Sequence, residues 1–179
     1  MKRLLSISLA ILLALGFTIV SPANELAMAT PMEGSGTVTD PYQVSTPLQL
    51  QAISNDLSAH YILINDIDCT HDTQDPSGAL YNGGLGFEPI GGGLGAWTDP
   101  FVGTFDGNNK KITGLYINRP TLDWNVGLFG YVDSGAVIND VILENVNISG
   151  GIRTGGLVSW GYSGDIINCG VTGNGVGCQ

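Results

Sequence analysis

Positive charge is scarce in this chain: six Lys and Arg stand against sixteen Asp and Glu, and only two His are present. A surface so poor in cations argues against nucleic acid as a partner. Three cysteines, Cys69, Cys169 and Cys178, are too few and too odd in number to staple a small scaffold. They leave open a Cys169–Cys178 bridge or free thiols, with Cys69 read as a buried thiol. His60 and His71 lie eleven apart with no Glu between them, so the HExxH pattern of a zinc peptidase is missing. Neither GxxxxGK[ST] nor GxGxxG occurs, which removes the strand-loop-helix phosphate cradles that need those spacings.

Long hydrophobic runs are equally rare, and the single one lies at the start. Met1, Lys2 and Arg3 precede an apolar stretch from Leu4 to Val20, and Ala27-Met28-Ala29 follows as a small-x-small cleavage pattern. This predicts a secretory signal peptide over 1–29 in preference to a membrane span, and a secreted or cell-surface location. Thr30 to Gln179 is then about one domain, divided into an extension with a first strand over 30–45 and the remainder over 46–179. Without residues 1–29 the balance is four basic against fifteen acidic residues. The acids are spread without runs, as suits solubility outside the cell.

Glycine, by contrast, is abundant. Residues 150–177, "GGIRTGGLVSWGYSGDIINCGVTGNGVG", hold ten glycines, and the reason emerges on looking for self-similarity. "GLFGYVDSGAVIN" (Gly127 to Asn139) aligns with "GLVSWGYSGDIIN" (Gly156 to Asn168) at an offset of 29. "ITGLYI" (Ile112 to Ile117) matches "INDVIL" (Ile138 to Leu143) at an offset of 26. Between the turns, segments such as "AVINDVILENVNIS" are β-branched and alternate apolar with polar residues, which reads as short strands separated by Gly and Asn turns. Stacked coils of such strands predict an all-β fold, a short right-handed parallel β-helix. Ile112, Leu115, Ile117, Ile138, Val141, Leu143, Ile167 and Val171 are expected to point inward. The glycines then serve corners that need positive φ or a backbone without Cβ. Asn139 and Asn168, at matching places, form either a stacked ladder or simple turns. A leucine-rich repeat shares the aliphatic spacing but expects a helical segment after Leu143, where Gly-rich turns stand instead.

These residues carry a resemblance. "GGLVSWGYSGDIINCGVTGNGVG" resembles the GLUG repeat through Gly155, Gly156, Leu157, Val158, Gly164, Ile166, Asn168, Cys169, Gly173 and Val176. "VGLFGYV" looks like a partner copy, with Gly130 where the later copy has Ser159. The preceding stretch, "YILINDIDCT" through "FEPIG" to "PFVGTFDGNNKKITGLYI", is similar to the region that leads into such repeats in secreted bacterial β-solenoids. The resemblance implies a surface or secreted parallel β-helix, found alone, in adhesin-like arrays, and beside IgA-specific metallopeptidases.

In "STPLQLQAISNDL", Thr46 is placed to cap a helix with Pro47 at its first position and Gln49 at its third, a capping box. Leu50, Ile53 and Leu57 would then share one face, and this single helix is expected to lie as a lid over the first coil.

Candidate chemistry is sparse. Asp106, Asp133, Asp140 and Asp165, with Lys110, Lys111 or Arg153, are the charges that a β-helix polysaccharide lyase or hydrolase would assemble, although Asp106 in "FDGNN" suits a turn. "NDIDCTHDTQD" gathers Asp66, Asp68, Asp72 and Asp75, whose oxygens suit calcium without matching an EF-hand. Asn147 opens a formal glycosylation sequon. Trp97, Trp124, Tyr131, Trp160 and Tyr162 are candidate sugar-stacking aromatics. The leading expectation is a non-catalytic surface module with an adhesive or structural role and a glycan or surface-protein ligand. The alternative is a carbohydrate-active β-helix enzyme or sugar-binding module. Because the chain stops at Val176-Gly177-Cys178-Gln179, directly after a repeat, self-association through an uncapped last coil is also expected.

Overall fold

The structure, a computed structural model, describes residues 30–92, 99–120 and 125–174. The signal-peptide segment, Trp97, Trp124, Val176 and Cys178 lie outside the described residues. The fold is mostly β and parallel, and its strands recur in tiers. The first tier holds β1 (Tyr42–Val44) and helix α1 (Pro47–Ala52), and the second β2 (His60–Leu63), β3 (Ile67–Asp68) and helix α2 (Thr70–Gln74). The third carries β4 (Thr104–Asp106), β5 (Lys111–Thr113), β6 (Tyr116–Arg119), β7 (Asn125–Val126) and β8 (Phe129–Val132). The fourth carries β9 (Val137–Asn139), β10 (Ile142–Gly150), β11 (Arg153–Thr154) and β12 (Val158–Gly161), and the fifth β13 (Asp165–Ile167) and β14 (Gly170–Asn174).

Corresponding strands pair tier upon tier. One five-stranded sheet runs β1-β2-β4-β9-β13, and a second joins β3, β5 and β6, β10, and β14. β11 pairs with β7 and β12 with β8, both in parallel. β4 and β9 each bury only their middle residue, so neither tier can bury its inward side chains alone. Stacking places like on like. Tyr42, Tyr61, Phe105, Ile138 and Ile166 fall in one column, and Ile67, Ile112, Leu143 and Val171 in another. Rings knit the middle together: Phe129 lies 4.9 Å from Phe101 and 5.4 Å, edge-on, from Phe105. Such contacts add to the area buried.

The register corrects the expected periods. The offset of 29 holds only across β8 and β12, where Phe129 meets Val158. Across β9 and β13 it is 28, because Ile138 meets Ile166. The turn before β13 is one residue shorter than the turn before β9. Ile166 therefore continues the inward column, while Ile167, expected inside, sits over Asn139 and is 53% exposed. The offset of 26 fails outright: Ile112 stacks under Leu143 and Ile117 under Ile148, an offset of 31. The other predicted inward residues of the third and fourth tiers are buried, and Val171 is partly so.

Corners use Asn and Asp as readily as Gly. Gly114 (φ 65°) and Asn145 (φ 54°) bend successive tiers at the same place. Position 114 admits only Gly because a Cβ there would enter the Thr70 hydroxyl. Of the described glycines from 150 onward, only Gly173 has positive φ (155°). Gly150 and Gly155 serve close approach instead, whereas a Cβ at Gly170 would meet open space.

Thr46 caps α1 as expected, accepting from Gln49 N at 3.2 Å. The return bond lands one residue early, on Ser45 N at 2.8 Å. α1 ends at Ala52, and a 3₁₀ turn (Ile53–Asn55) follows, so Leu57 leaves the helical face while Leu50 and Ile53 enter the core. The free edge of β1 is met by Glu33, which bridges Gln43 in antiparallel fashion. The expectation of a single helix is also corrected: α2 is a second one. It is too short to show periodicity, and it is held by Asp68 Oδ1 accepting from Thr70 N (2.9 Å) and by Thr73 Oγ1 donating to Cys69 O (2.8 Å).

Candidate functional site

The loop from β10 to β12 builds a concavity among the described residues. Gly150 ends β10 where a Cβ would press into Thr154 and Val126. Gly155 turns the chain where a Cβ would meet the Val158 carbonyl. The tight turn at Gly155 brings β12 close to β11, and Ser159 Oγ donates to Arg153 O at 3.0 Å across it. The result is a cleft of about 540 Å³ lined by Gly150, Gly151, Ile152, Arg153, Thr154, Ser159 and Trp160.

The guanidinium of Arg153 lies over the Trp160 ring, 4.6 Å from its centroid. Trp160 in turn sits beside Tyr131 in the β12–β8 ladder. Tyr131 is buried and donates its hydroxyl to Asp133 Oδ2 at 3.0 Å. Burial, and then that bond to Asp133, raise the Tyr131 phenol above its ordinary value. Tyr162, one residue past β12, is 80% exposed. The sequence alone marks Arg153 as a cation and Trp160 as an aromatic without joining them. The tight Gly155 turn between them is the signal that could have done so.

The other candidate charges are scattered. Asp106 Oδ1 accepts from Asn108 N (2.7 Å) and Asp133 Oδ1 from Ser134 N (2.6 Å), as turn-forming carboxylates do. Asp140 joins two tiers, accepting from Asn139 (2.8 Å) and from Asn168. Those bonds, Asn139 first, hold its carboxyl below the ordinary value. So Asn139 and Asn168 do not stack on each other; both reach the aspartate between them. Asp165 lies on exposed β13 and Lys110 just before β5. Lys111 makes a salt bridge to Glu144 (2.9 Å), and its backbone N–H reaches Asp66 Oδ1 (2.9 Å). The hydrogen bond and charge of Glu144 raise the Lys111 ammonium above its ordinary value. None of these carboxylates lines the Arg153 cleft.

The candidate calcium ligands take separate roles. Asp66 holds the Lys111 amide, Asp68 the start of α2, and Asp75 the Ser77 amide at 2.8 Å. Hydrogen bonds from the Thr70 and Ser77 hydroxyls, ahead of those from their amides, keep the Asp68 and Asp75 carboxyls low. Asp68 and Asp75 share a shallow depression with His71, but among the described residues no three ligating side chains converge. Cys69 is buried, and that burial pushes its thiol up to about 12, unlike a reactive thiolate. Cys169 Sγ contacts the Ile167 carbonyl at 3.2 Å.

No family model matches this mostly β, tier-stacked chain. The chain is 36% identical over 125 residues to halomucin of Haloquadratum walsbyi, covering 68% of this chain and 1% of halomucin. It is 34% identical over 112 residues to a provisionally named Gly-rich membrane protein of Evansella cellulosilytica, covering 62% of this chain and 12% of that protein. Among solved structures, a provisionally named immunoglobulin A1 protease from Bacteroides ovatus shares the fold, with TM-score 0.57 and 22% identity over 78% of this chain and 40% of that one. The chain thus spans a small part of each relative. Among the described residues no helix is long and apolar enough to cross a membrane.

Proposed function

We propose that the chain is a non-catalytic module of a secreted or surface protein, a short right-handed parallel β-helix with GLUG-like repeats that serves as scaffold or adhesive unit. The observation that carries this is the unbroken parallel order β1-β2-β4-β9-β13, in which every strand stacks on its counterpart one tier away. Parallel crossovers of that kind are right-handed almost without exception. Support comes from relatives many times longer than this chain whose names denote a mucin and a membrane protein, as expected of a unit that extends a surface structure.

On this reading the outer edge of β13 and β14, with Ile166 half-exposed, takes a further tier from a second copy. Expression of the full chain with a terminal tag tests the proposal. The mature N-terminus should be Thr30 and the product should lie in the envelope or medium, while uncleaved Met1 in a cytoplasmic fraction would sink it. Light scattering should give a dimer or larger species, and a strict monomer would remove the self-association. Turnover of any glycan in a reducing-end assay would replace the scaffold reading with the carbohydrate-active one.

A further inference from the structure

We propose that the outward face of β6, β10 and β14 binds a neutral, extended glycan laid across the tiers. This rests on reading the chain as a surface module and adds the ligand class.

The strands alternate, and their register stacks what points out. Ile117, Val146 and Ile148 turn inward and are buried, so Tyr116, Asn118, Asn147 and Ser149 turn outward. Asn147 is in register with Tyr116 on one side and Asn174 on the other, and Ser149 with Asn118. Asn147, Ser149 and Asn174 are exposed, while Tyr116 and Asn118 are half-buried. The Tyr116 ring rests on the bare backbone of Gly86, where a Cβ would come within 2.8 Å of its Cδ1.

The polar groups of this face are unspent. At the corners, the side-chain amides of Asn65, Asn108 and Asn168 donate to Ser45 O, Leu63 O and the Asp140 carboxylate. The side chains of the five outward residues have no such partner among the described residues. None of the five is charged, in a chain with sixteen acids and six cations, which matches them to a ligand without charge.

Their chemistry and spacing narrow the class further. Each Asn amide offers two donors and an acceptor, the complement of neighbouring hydroxyls on one sugar, and the tyrosine ring offers a face to sugar C–H groups. Successive tiers lie about 4.8 Å apart, close to the rise per sugar in an extended β-linked glycan. A glycan running along the stack therefore meets Tyr116, Asn147 and Asn174 in turn. A peptide strand fits worse, because the backbone groups of β6 and β10 are spent on pairing within the sheet. No metal or covalent step is involved.

The test titrates the processed full-length chain, by calorimetry and by amide shifts in NMR, with β-1,4-linked oligomers of glucose, mannose and N-acetylglucosamine from dimer to hexamer. At least one series should bind, with affinity that rises with length until three tiers are spanned and then levels off. Shifts should gather at 116–118, 147–149 and 174, and added salt should leave the affinity unchanged. Asn147→Ala should weaken binding about fivefold, as loss of one hydrogen-bonding side chain warrants. Tyr116→Ala should weaken it about tenfold. Lys111→Met, outside the face, should leave it unchanged. If Tyr116→Ala does not fold, Asn147→Ala and Asn174→Ala, both at exposed positions, decide the matter. Absence of binding in all three series, tighter binding of an oligogalacturonate, an Asn147→Ala chain with full affinity, or shifts confined to another surface each overturns the assignment. Those failures leave the surface reading standing, since that falls on processing and fractionation instead.

Discussion

Ile138 and Ile166 occupy the same inward column one tier apart, yet Ile138 is fully buried and Ile166 is 50% exposed. Sequence chemistry does not separate them: both are isoleucines in the middle of three-residue strands that follow a Ser-Gly turn. What differs is neighbours. Ile138 has Phe105 below and Ile166 above, whereas Ile166 has a described neighbour on one side only. The same contrast runs through whole strands, since β8 is buried at every position and β13 exposed at every position. In a stack of this kind, burial belongs to the tier's place in the order more than to its composition.

The contrast can be broken first at its buried end. Phe105→Ala removes a fully buried ring that touches Phe129 and should cost about 3–5 kcal/mol in urea unfolding. A loss below about 1 kcal/mol would mean the middle tiers are not the stabilising core. Next, Ile138→Ala should cost about 2–5 kcal/mol, while Ile166→Ala, half-exposed at the same column, should cost about 0.5–1 kcal/mol. Equal costs would show that β13 is covered in solution.

Loss of the Thr46 cap ranks third. Thr46→Ala should cost about 1 kcal/mol, because it frees the Gln49 amide and disturbs the helix that delivers Leu50 and Ile53 to the core. Acid should act more gently and unevenly. Hydrogen bonds hold the carboxyls of Asp56, Asp68, Asp75 and Asp140 below their ordinary value of 3.8. A lowered folded value means stability that is present above the unfolded value and lost as pH falls through the folded one. Stability should therefore be flat at neutral pH and decline below about pH 4. Because Asp140 accepts from Asn168 of the next tier, hydrogen exchange at 165–174 should rise in that window before exchange at 60–63 does. Simultaneous loosening of both segments would remove Asp140 from its linking role. The smallest effect belongs to Lys111→Met. Its bridge to Glu144 lies between side chains 46% and 34% exposed, and such pairs contribute about 0–1 kcal/mol.

Much of the stack is legible in the residues alone. Strand alternation in "AVIND" and the aliphatics of "ITGLYI" place Ile112, Leu115, Ile117 and Ile138 inside, and the Thr46-Pro47-Gln49 pattern locates α1. Register is not legible, for a physical reason. Matching by identity is dominated by turn residues such as Ser134-Gly135 and Ser163-Gly164, whereas stacking aligns inward side chains, and the intervening turns differ in length by a residue. That single residue moves Ile167 from inside to outside. The cleft is hidden for a related reason, since Arg153 and Trp160 meet only through the tight turn at Gly155.

That the chain is β, glycine-cornered, acidic and repetitive follows from its residues, because period-two alternation and turn chemistry are local properties. Which repeats lie on which, which isoleucine of a pair faces the core, and that Arg153 rests on the Trp160 indole emerge only in the packed chain. Those outcomes depend on contacts between residues tens of positions apart, whose spacing is set by the sum of every turn between them, and no short stretch of chain records that sum.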